Sequence, residues 1–137
     1  MKQFLFLALL AVACADPNKG DREAFKPTAE KLFEQFKWGD YRAAATFIVD
    51  SKRPAFIVAR LKMQDDKNLS VADYSLDDVS YSDDGMKVTL VSRFSWMRLP
   101  SPNLHSDVIT SEFVWSGGAW LLLSQDSGPF AQELRNP

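Results

Sequence analysis

A strand–turn–strand pattern near the end of the chain decides how this sequence folds. Residues 113–124 read FVWSGGAWLLLS, in which two apolar runs are separated by Ser-Gly-Gly. Paired glycines between aromatic and aliphatic residues are typical of a β-hairpin, because glycine readily adopts the positive φ angles of tight turns. The pattern predicts one strand over residues 105–115 and another over residues 119–124.

The preceding residues predict two more antiparallel strands. Residues 86–99 alternate in polarity and place these apolar side chains on one face: Met86, Val88, Leu90, Phe94 and Trp96. Pro100 and Pro102 end this strand, because proline cannot donate to a β-ladder. An Asp-Asp-Gly turn at residues 83–85 joins it to a first strand within residues 72–82. The tail from Asp126 is expected to be loose, with Phe130 tucked against the domain.

Helical periodicity dominates before residue 65. Residues 23–38 place five apolar side chains on one face of an amphipathic helix: Phe25, Ala29, Leu32, Phe33 and Phe36. Pro27 fits its first turn, and Gly39 ends it. Asp40 is expected to cap a short second helix over residues 41–49, and Ser51 a third that starts near Pro54.

Helices followed by a meander of antiparallel strands predict an α+β fold. Two stretches, FEQFKWGDYRAAA (residues 33–45) and FVWSGGAWLLLS, resemble the opening helices and closing hairpin of the nuclear transport factor 2-like superfamily, a ketosteroid isomerase-like, cystatin-like α+β cone. The resemblance implies N-terminal helices packed in a curved antiparallel sheet around a cone-shaped cavity. It also implies that some members hold acid–base residues in the cavity, that others bind ligands, and that many pair through the outer sheet face.

The first 13 residues have the features of a signal peptide. Lys2 supplies a positive charge, and residues 4–13 form an apolar run of about ten residues, roughly half of what a membrane-spanning helix needs. We therefore predict a signal peptide over residues 1–13, a tether over residues 14–22 and a single α+β domain over residues 23–137.

The end of this leader offers two cleavage sites. Cleavage after Ala15 follows an A-x-A pattern and would release a soluble secreted or periplasmic protein. Cleavage before Cys14 follows residues that resemble the bacterial lipobox, in which the cysteine thiol is acylated. Cys14 is the sole cysteine and has no intramolecular disulfide partner, so we expect it to be lipidated. Because Ala15 stands where an aspartate would resemble an inner-membrane retention signal, we expect attachment to the outer membrane, on its periplasmic side, if the host has one.

His105 and Asp107 are the candidates for a catalytic pair. Two residues apart in a strand, they share one face, where a carboxylate can orient an imidazole and raise its basicity. Certain dehydratase- and cyclase-like relatives use a His–Asp pair in the cone. The alternative is that both are ordinary polar residues at the start of a strand whose face is otherwise core.

Aromatic residues of the strands are candidates for a ligand-binding cavity. Phe94 and Trp96 share a face of the second strand, Phe113 and Trp115 share a face of the third, and Trp120 lies on the fourth. If these faces line the cone, its cavity suits a lipid-like or ring-shaped ligand. Two alternatives stay open: the side chains fill the cone as a packed core, or one tryptophan row lies outside as a dimer or partner surface.

Charge and composition argue against other kinds of site. A net charge of −2 gives no general attraction to nucleic acid, and one histidine with one cysteine cannot make a zinc site, so we predict no metal and no cofactor. The acidic stretch DDVSYSDDG (residues 77–85) lacks the spacing of an EF-hand and is typical of a solvated hairpin. The basic residues around the third helix are expected to form a solvated face: Lys52, Arg53, Arg60 and Lys62.

These patterns together predict a membrane-anchored envelope lipoprotein whose domain is a non-catalytic binding or interaction module. The expected partners are the membrane, through the lipid on Cys14, and either a small apolar ligand or an envelope protein, with a homodimer as a further expectation. The alternative function is a small cavity enzyme of dehydratase or isomerase type that uses His105 with Asp107.

Overall fold

The computed structural model describes residues 19–62 and 68–135 of the chain. The predicted signal peptide, Cys14 and the rest of the tether up to residue 18 lie outside the described residues. Within these residues three helices precede the four strands and a short helix follows them, which confirms the α+β class. The elements are α1 Arg22–Trp38, α2 Tyr41–Ala45, α3 Arg53–Lys62, β1 Leu69–Tyr81, β2 Lys87–Arg98, β3 His105–Ser116, β4 Ala119–Gln125 and α4 Ala131–Leu134.

The strands form one antiparallel sheet in the order β1-β2-β3-β4. Both predicted hairpins are confirmed, with Gly85 in the first turn and Gly117 and Gly118 in the second, all at positive φ. Val88 pairs with Phe113, and Trp115 pairs with Trp120, so these side chains share one face of the sheet. The helices cover this face and bury its central residues.

Capping residues set the bounds of the first two helices. The Asp21 carboxylate accepts hydrogen bonds from the N–H groups of Glu23 and Ala24, at 3.0 and 3.3 Å, and starts α1 at Arg22. Pro27 therefore lies in the second turn, and the expectation that it belongs to the first is wrong. Gly39 ends α1 in the left-handed conformation, as predicted, and Asp40 caps α2 through the Ala43 N–H.

The two edge strands of the sheet, β1 and β4, differ in what covers their free backbone groups. Residues 47–49 run parallel to β4, where Leu122 donates to the Phe47 carbonyl at 2.7 Å and accepts from the Val49 N–H at 3.0 Å. This backbone pairing takes up part of what was expected as helix and covers part of the β4 edge. The β1 edge, by contrast, has two register irregularities and a series of exposed carboxylates: Asp73, Asp77 and Asp78.

The tail after Asp126 folds onto the domain, so the expectation that it is loose is wrong. Phe130 is fully buried, and its ring stacks on that of Phe36 with centroids 4.3 Å apart. It also directly precedes α4, in which the Glu133 carboxylate forms an ion pair with Arg60 of α3. The expectation that Phe130 is tucked against the domain is confirmed.

Three of the four basic residues around α3 make internal contacts, so the expectation that they form a solvated face is wrong for these three. The side chain of Lys62 lies outside what the structure describes. The Lys52 ammonium donates to the carbonyls of Leu123 and Leu134, and burial lowers the pKa of its side chain, an effect that Glu112 partly offsets. Arg53 donates to the carbonyls of Ala45 and Ile48. Arg60 is almost completely buried. These cations satisfy carbonyl and carboxylate groups that close packing would otherwise leave unpaired.

Candidate functional site

The Trp96 indole contacts both catalytic candidates, His105 and Asp107. The register pairs Trp96 of β2 with His105 of β3, so the two side chains share the helix-covered side of the sheet. The imidazole of His105 stacks on the Trp96 indole, with centroids 4.5 Å apart and planes 22° apart. The indole Nε1–H donates to Asp107 Oδ2 at 2.8 Å. Both contacts go to the indole, an arrangement that differs from a carboxylate orienting an imidazole.

Three of the five predicted ligand-binding aromatics lie in the packed core. Phe94, Phe113 and Trp120 are at most 1% exposed. Phe33 of α1 packs edge-on to Phe94, with centroids 4.8 Å apart. Phe25 packs in the same way against Phe113 and Trp120, at 5.0 and 5.7 Å. Rings of α1 therefore occupy the space over these strand residues, as the alternative of a filled core requires.

Trp115 and Trp120 border a groove beside the β3–β4 turn. The groove lies between α1 and the β3–β4 hairpin, and its apolar wall includes Ala24, Phe47 and Leu121. Trp115 is half-buried and packs edge-on to Trp120, with centroids 5.2 Å apart. Trp115 therefore combines core contacts with access to the surface, while Trp120 forms the buried wall beside it.

The residues just before α1 dock onto Trp120. Its indole Nε1–H donates to the Asp21 carbonyl at 2.7 Å, and Gly20 donates to the Gly85 carbonyl at 2.9 Å. A Cβ atom at position 20 would lie 2.1 Å from the Trp120 ring, so only glycine fits there. The sequence carries no local signal for this contact, because its partners are 99 residues apart.

A short row of buried polar side chains crosses the core face of the sheet. Ser92, Ser111 and Gln125 are all 0% exposed. The Gln125 amide donates to Ser111 Oγ at 3.2 Å, and the Ser92 hydroxyl lies 3.4 Å from the Ile109 carbonyl that accepts from it. Strand alternation could have identified the serines, since each sits two residues from a buried apolar side chain of its own strand.

The carboxylate of Glu34 links α1 to β1 at the surface. It accepts hydrogen bonds from Trp38 Nε1–H at 2.6 Å and from the Tyr74 hydroxyl at 2.8 Å. The hydrogen bond from Trp38, followed by the one from Tyr74, is the largest cause that holds the pKa of Glu34 below its ordinary value. Burial, together with the hydrogen bond to Glu34 and its charge, raises the pKa of Tyr74 to about 12. Trp38 itself is 74% exposed.

Tyr74 should therefore ionise late in a pH titration. A raised pKa means that the fold favours the neutral phenol, so this contribution to stability is present below about pH 10, the ordinary tyrosine pKa, and is lost as the pH rises toward 12. Near-ultraviolet titration of the wild type minus that of Tyr74→Phe isolates the group. In Glu34→Gln the midpoint should fall and stay above that of a free tyrosine, because burial is the larger cause. A wild-type midpoint at the ordinary value would contradict this.

The described residues contain no cluster of three or more His, Cys, Asp or Glu side chains that could hold a metal ion. No helix within the same residues is both long and apolar enough to cross a membrane.

Comparison with known proteins identifies a shared fold. No protein-family model matches the sequence, and no curated protein does either. The structure is similar to the solution structure of a SEC-C motif-containing protein from Rhodopseudomonas palustris, with a TM-score of 0.59 and 14% identity over 74% of this chain and 76% of that chain. At this identity the similarity concerns the fold alone.

Proposed function

We propose that this chain is an envelope lipoprotein, held to a membrane through a lipid on Cys14, whose α+β domain is a non-catalytic binding or interaction module. The observation that carries the non-catalytic part is the position of Trp96. Its indole holds the Asp107 carboxylate by a hydrogen bond and the His105 ring by stacking. In a catalytic His–Asp pair the carboxylate orients the imidazole, whereas here the Asp107 carboxylate is bonded to the indole instead.

We propose that the mature protein has lost the signal peptide and that its domain is a cone, in which the sheet curves around α1. Aromatic contacts along the helix support this shape: Phe25 packs against Phe113 and Trp120 at one end, and Phe33 against Phe94 farther along. Because these rings fill the centre of the cone, binding is expected at its two ends. The ends carry Trp96 and Trp115, the two half-buried members of the predicted ligand-binding set.

Exposed apolar side chains support an interaction role at the end of the domain that holds Trp96. Leu99 and Leu104 flank the β2–β3 loop and are 47% and 58% exposed. They directly adjoin the strand ends that carry Trp96 and His105. Adjacent exposed apolar side chains mark interaction surfaces, and tryptophan is enriched at protein interfaces. An envelope protein or a small apolar ligand is the proposed partner.

The anchor is tested by following the mature protein in cell fractions of a bacterial host that processes lipoproteins. We expect the wild type in the membrane fraction, with an intact mass that begins at Cys14 and includes acyl chains. Cys14→Ser should move the protein to the soluble fraction, because a single small domain with no acyl group lacks stable attachment.

A second variant separates the two cleavage sites. Ala15→Leu places a bulky residue where the A-x-A site needs a small one and leaves Cys14 in place. A lipoprotein should still mature and stay in the membrane fraction. A secreted protein should instead accumulate uncleaved, and a wild-type mass that begins at Asp16 without acyl chains would contradict the anchor.

The alternative, a small dehydratase- or isomerase-like enzyme, rests on the shared face of His105 and Asp107. Turnover that His105→Ala abolishes, with an unchanged circular dichroism spectrum and unfolding midpoint, would support it over a binding module.

A further inference from the structure

The residues directly before α1 are fixed at one end of the sheet. Gly20 donates to the carbonyl of Gly85 in the β1–β2 turn, and the Asp21 carbonyl accepts from Trp120 at the start of β4. In a meander, the β1–β2 and β3–β4 turns lie at one end of the sheet and the β2–β3 loop at the other. The residues before α1 are therefore fixed at the end that carries the two hairpin turns, which we call the hairpin end.

The docked residues leave little free chain between the domain and the proposed lipid. Only six steps along the chain separate Cys14 from Gly20, so the lipid-bearing residue lies within about 20 Å of Gly20 even when that chain is fully extended. The 12 residues of β2 extend about 40 Å. A tether of this length keeps the hairpin end close to the bilayer. When that end faces the bilayer, the β2–β3 loop lies at the far end of the sheet, about 40 Å away.

The chemistry of the β3–β4 turn suits a membrane surface. Residues 116–119 are exposed and uncharged, and the half-buried Trp115 directly precedes them. Tryptophan is enriched where protein meets the lipid headgroups, because its ring is apolar and its N–H is polar. The neighbouring β1–β2 turn carries the exposed Asp83 and Asp84 instead. The charge difference favours contact through the β3–β4 turn.

We propose that Trp115 and the turn at residues 116–119 rest on the bilayer that holds the lipid of Cys14, and that the end with Trp96 and His105 faces the aqueous compartment. This inference rests on the proposed lipid anchor and adds an orientation to it. It assigns the two half-buried tryptophans different surroundings: Trp115 meets lipid headgroups, and Trp96 meets the partner of the binding module.

Site-directed fluorescence in vesicles tests the orientation. The acylated mature protein is reconstituted in vesicles of phosphatidylethanolamine and phosphatidylglycerol, with a single fluorophore on Ala119→Cys or, as the matched control, on Asn103→Cys. Both positions are exposed, and they lie at opposite ends of the sheet. Cys14 does not react with the label when its thiol carries a lipid. Spin-labelled lipid and aqueous iodide serve as the two quenchers.

We expect the spin-labelled lipid to reduce the emission of the probe at position 119 about twofold and to leave the probe at position 103 unchanged, since roughly 40 Å separates the two ends. Iodide should quench the probe at position 103 more strongly. An acylated protein whose two probes respond alike would overturn the orientation and leave the anchor intact. A probe at position 119 that is shielded from both quenchers would also overturn it, because protein then covers the turn. A purified chain without acyl mass would overturn the anchor, and the orientation with it.

Discussion

Replacing Phe36 with alanine should lower the free energy of unfolding by about 3–5 kcal/mol. Phe36 is 1% exposed and is the ring at which α1, α3, β2 and the C-terminal segment meet. It stacks on Phe130 at 4.3 Å and lies 6.0 Å from Phe56 and 6.5 Å from Phe94, between centroids. Alanine would leave a cavity that four separate elements cannot close together. Urea unfolding followed by circular dichroism measures the loss.

Trp38→Ala is the matched control for Phe36, because it removes a larger ring from the same helix. Its side chain is 74% exposed, donates to Glu34 and lies under the Lys37 ammonium, so these contacts are at the surface. We expect a loss below about 1 kcal/mol. Equal losses in the two variants would show that Phe36 does not join the elements in the way its contacts indicate.

Glu133→Ala should cost about 3 kcal/mol or more, a large effect for a residue so near the end of the chain. Its carboxylate pairs with the guanidinium of Arg60, and the two side chains are only 8% and 4% exposed. Removing the carboxylate takes an acceptor of opposite charge away from a desolvated cation, which costs more than the loss of a surface pair. The guanidinium also lies over the Phe130 ring, at 5.1 Å from its centroid, so the C-terminal segment should loosen with it.

Asp50→Ala provides the surface comparison for that ion pair. Asp50 is 88% exposed and contacts Arg53 at 3.0 Å, so we expect a change of about 0.5 kcal/mol or less. The double replacement Arg60→Met with Glu133→Leu should recover much of the loss, because it removes both buried charges. If Glu133→Ala proved as mild as Asp50→Ala in urea unfolding, the buried pair would not hold α4 in place.

Local patterns predicted the elements of this fold because their causes are local. The glycines of the two hairpin turns and the Gly39-Asp40 pair between α1 and α2 act through backbone geometry and capping within a few residues. The alternation that put Val88, Leu90 and Phe94 on one face of β2 is confirmed by their complete burial.

The missed features depend on partners far away in sequence. Arg60 was expected in solvent because a charged residue is rarely buried without a partner, and its partner Glu133 lies 73 residues later. The prediction of a loose tail is wrong for the same reason. Phe130 holds the tail to the domain by stacking on Phe36, a contact between residues far apart in sequence.

The candidate site shows a similar division. Spacing correctly placed His105 and Asp107 on one face, but it could not reveal that Trp96 of the neighbouring strand contacts both, since that requires the register of β2 against β3. The aromatic positions were likewise identified without their surroundings. Whether such rings line a cavity or fill a core depends on the side chains that α1 brings, here Phe25 and Phe33.

The sheet edges restrict how another molecule can recognise this domain. Many recognition domains bind an extended peptide by adding it as a further strand. Here residues 47–49 already occupy backbone groups of β4 at Leu122, and β1 is interrupted twice and lined by Asp73, Asp77 and Asp78. Interruptions and charges of this kind discourage strand addition. Recognition of this domain is therefore favoured through side chains rather than backbone, so that its specificity would depend on a few surface residues. The same edge features discourage chain-to-chain β-assembly.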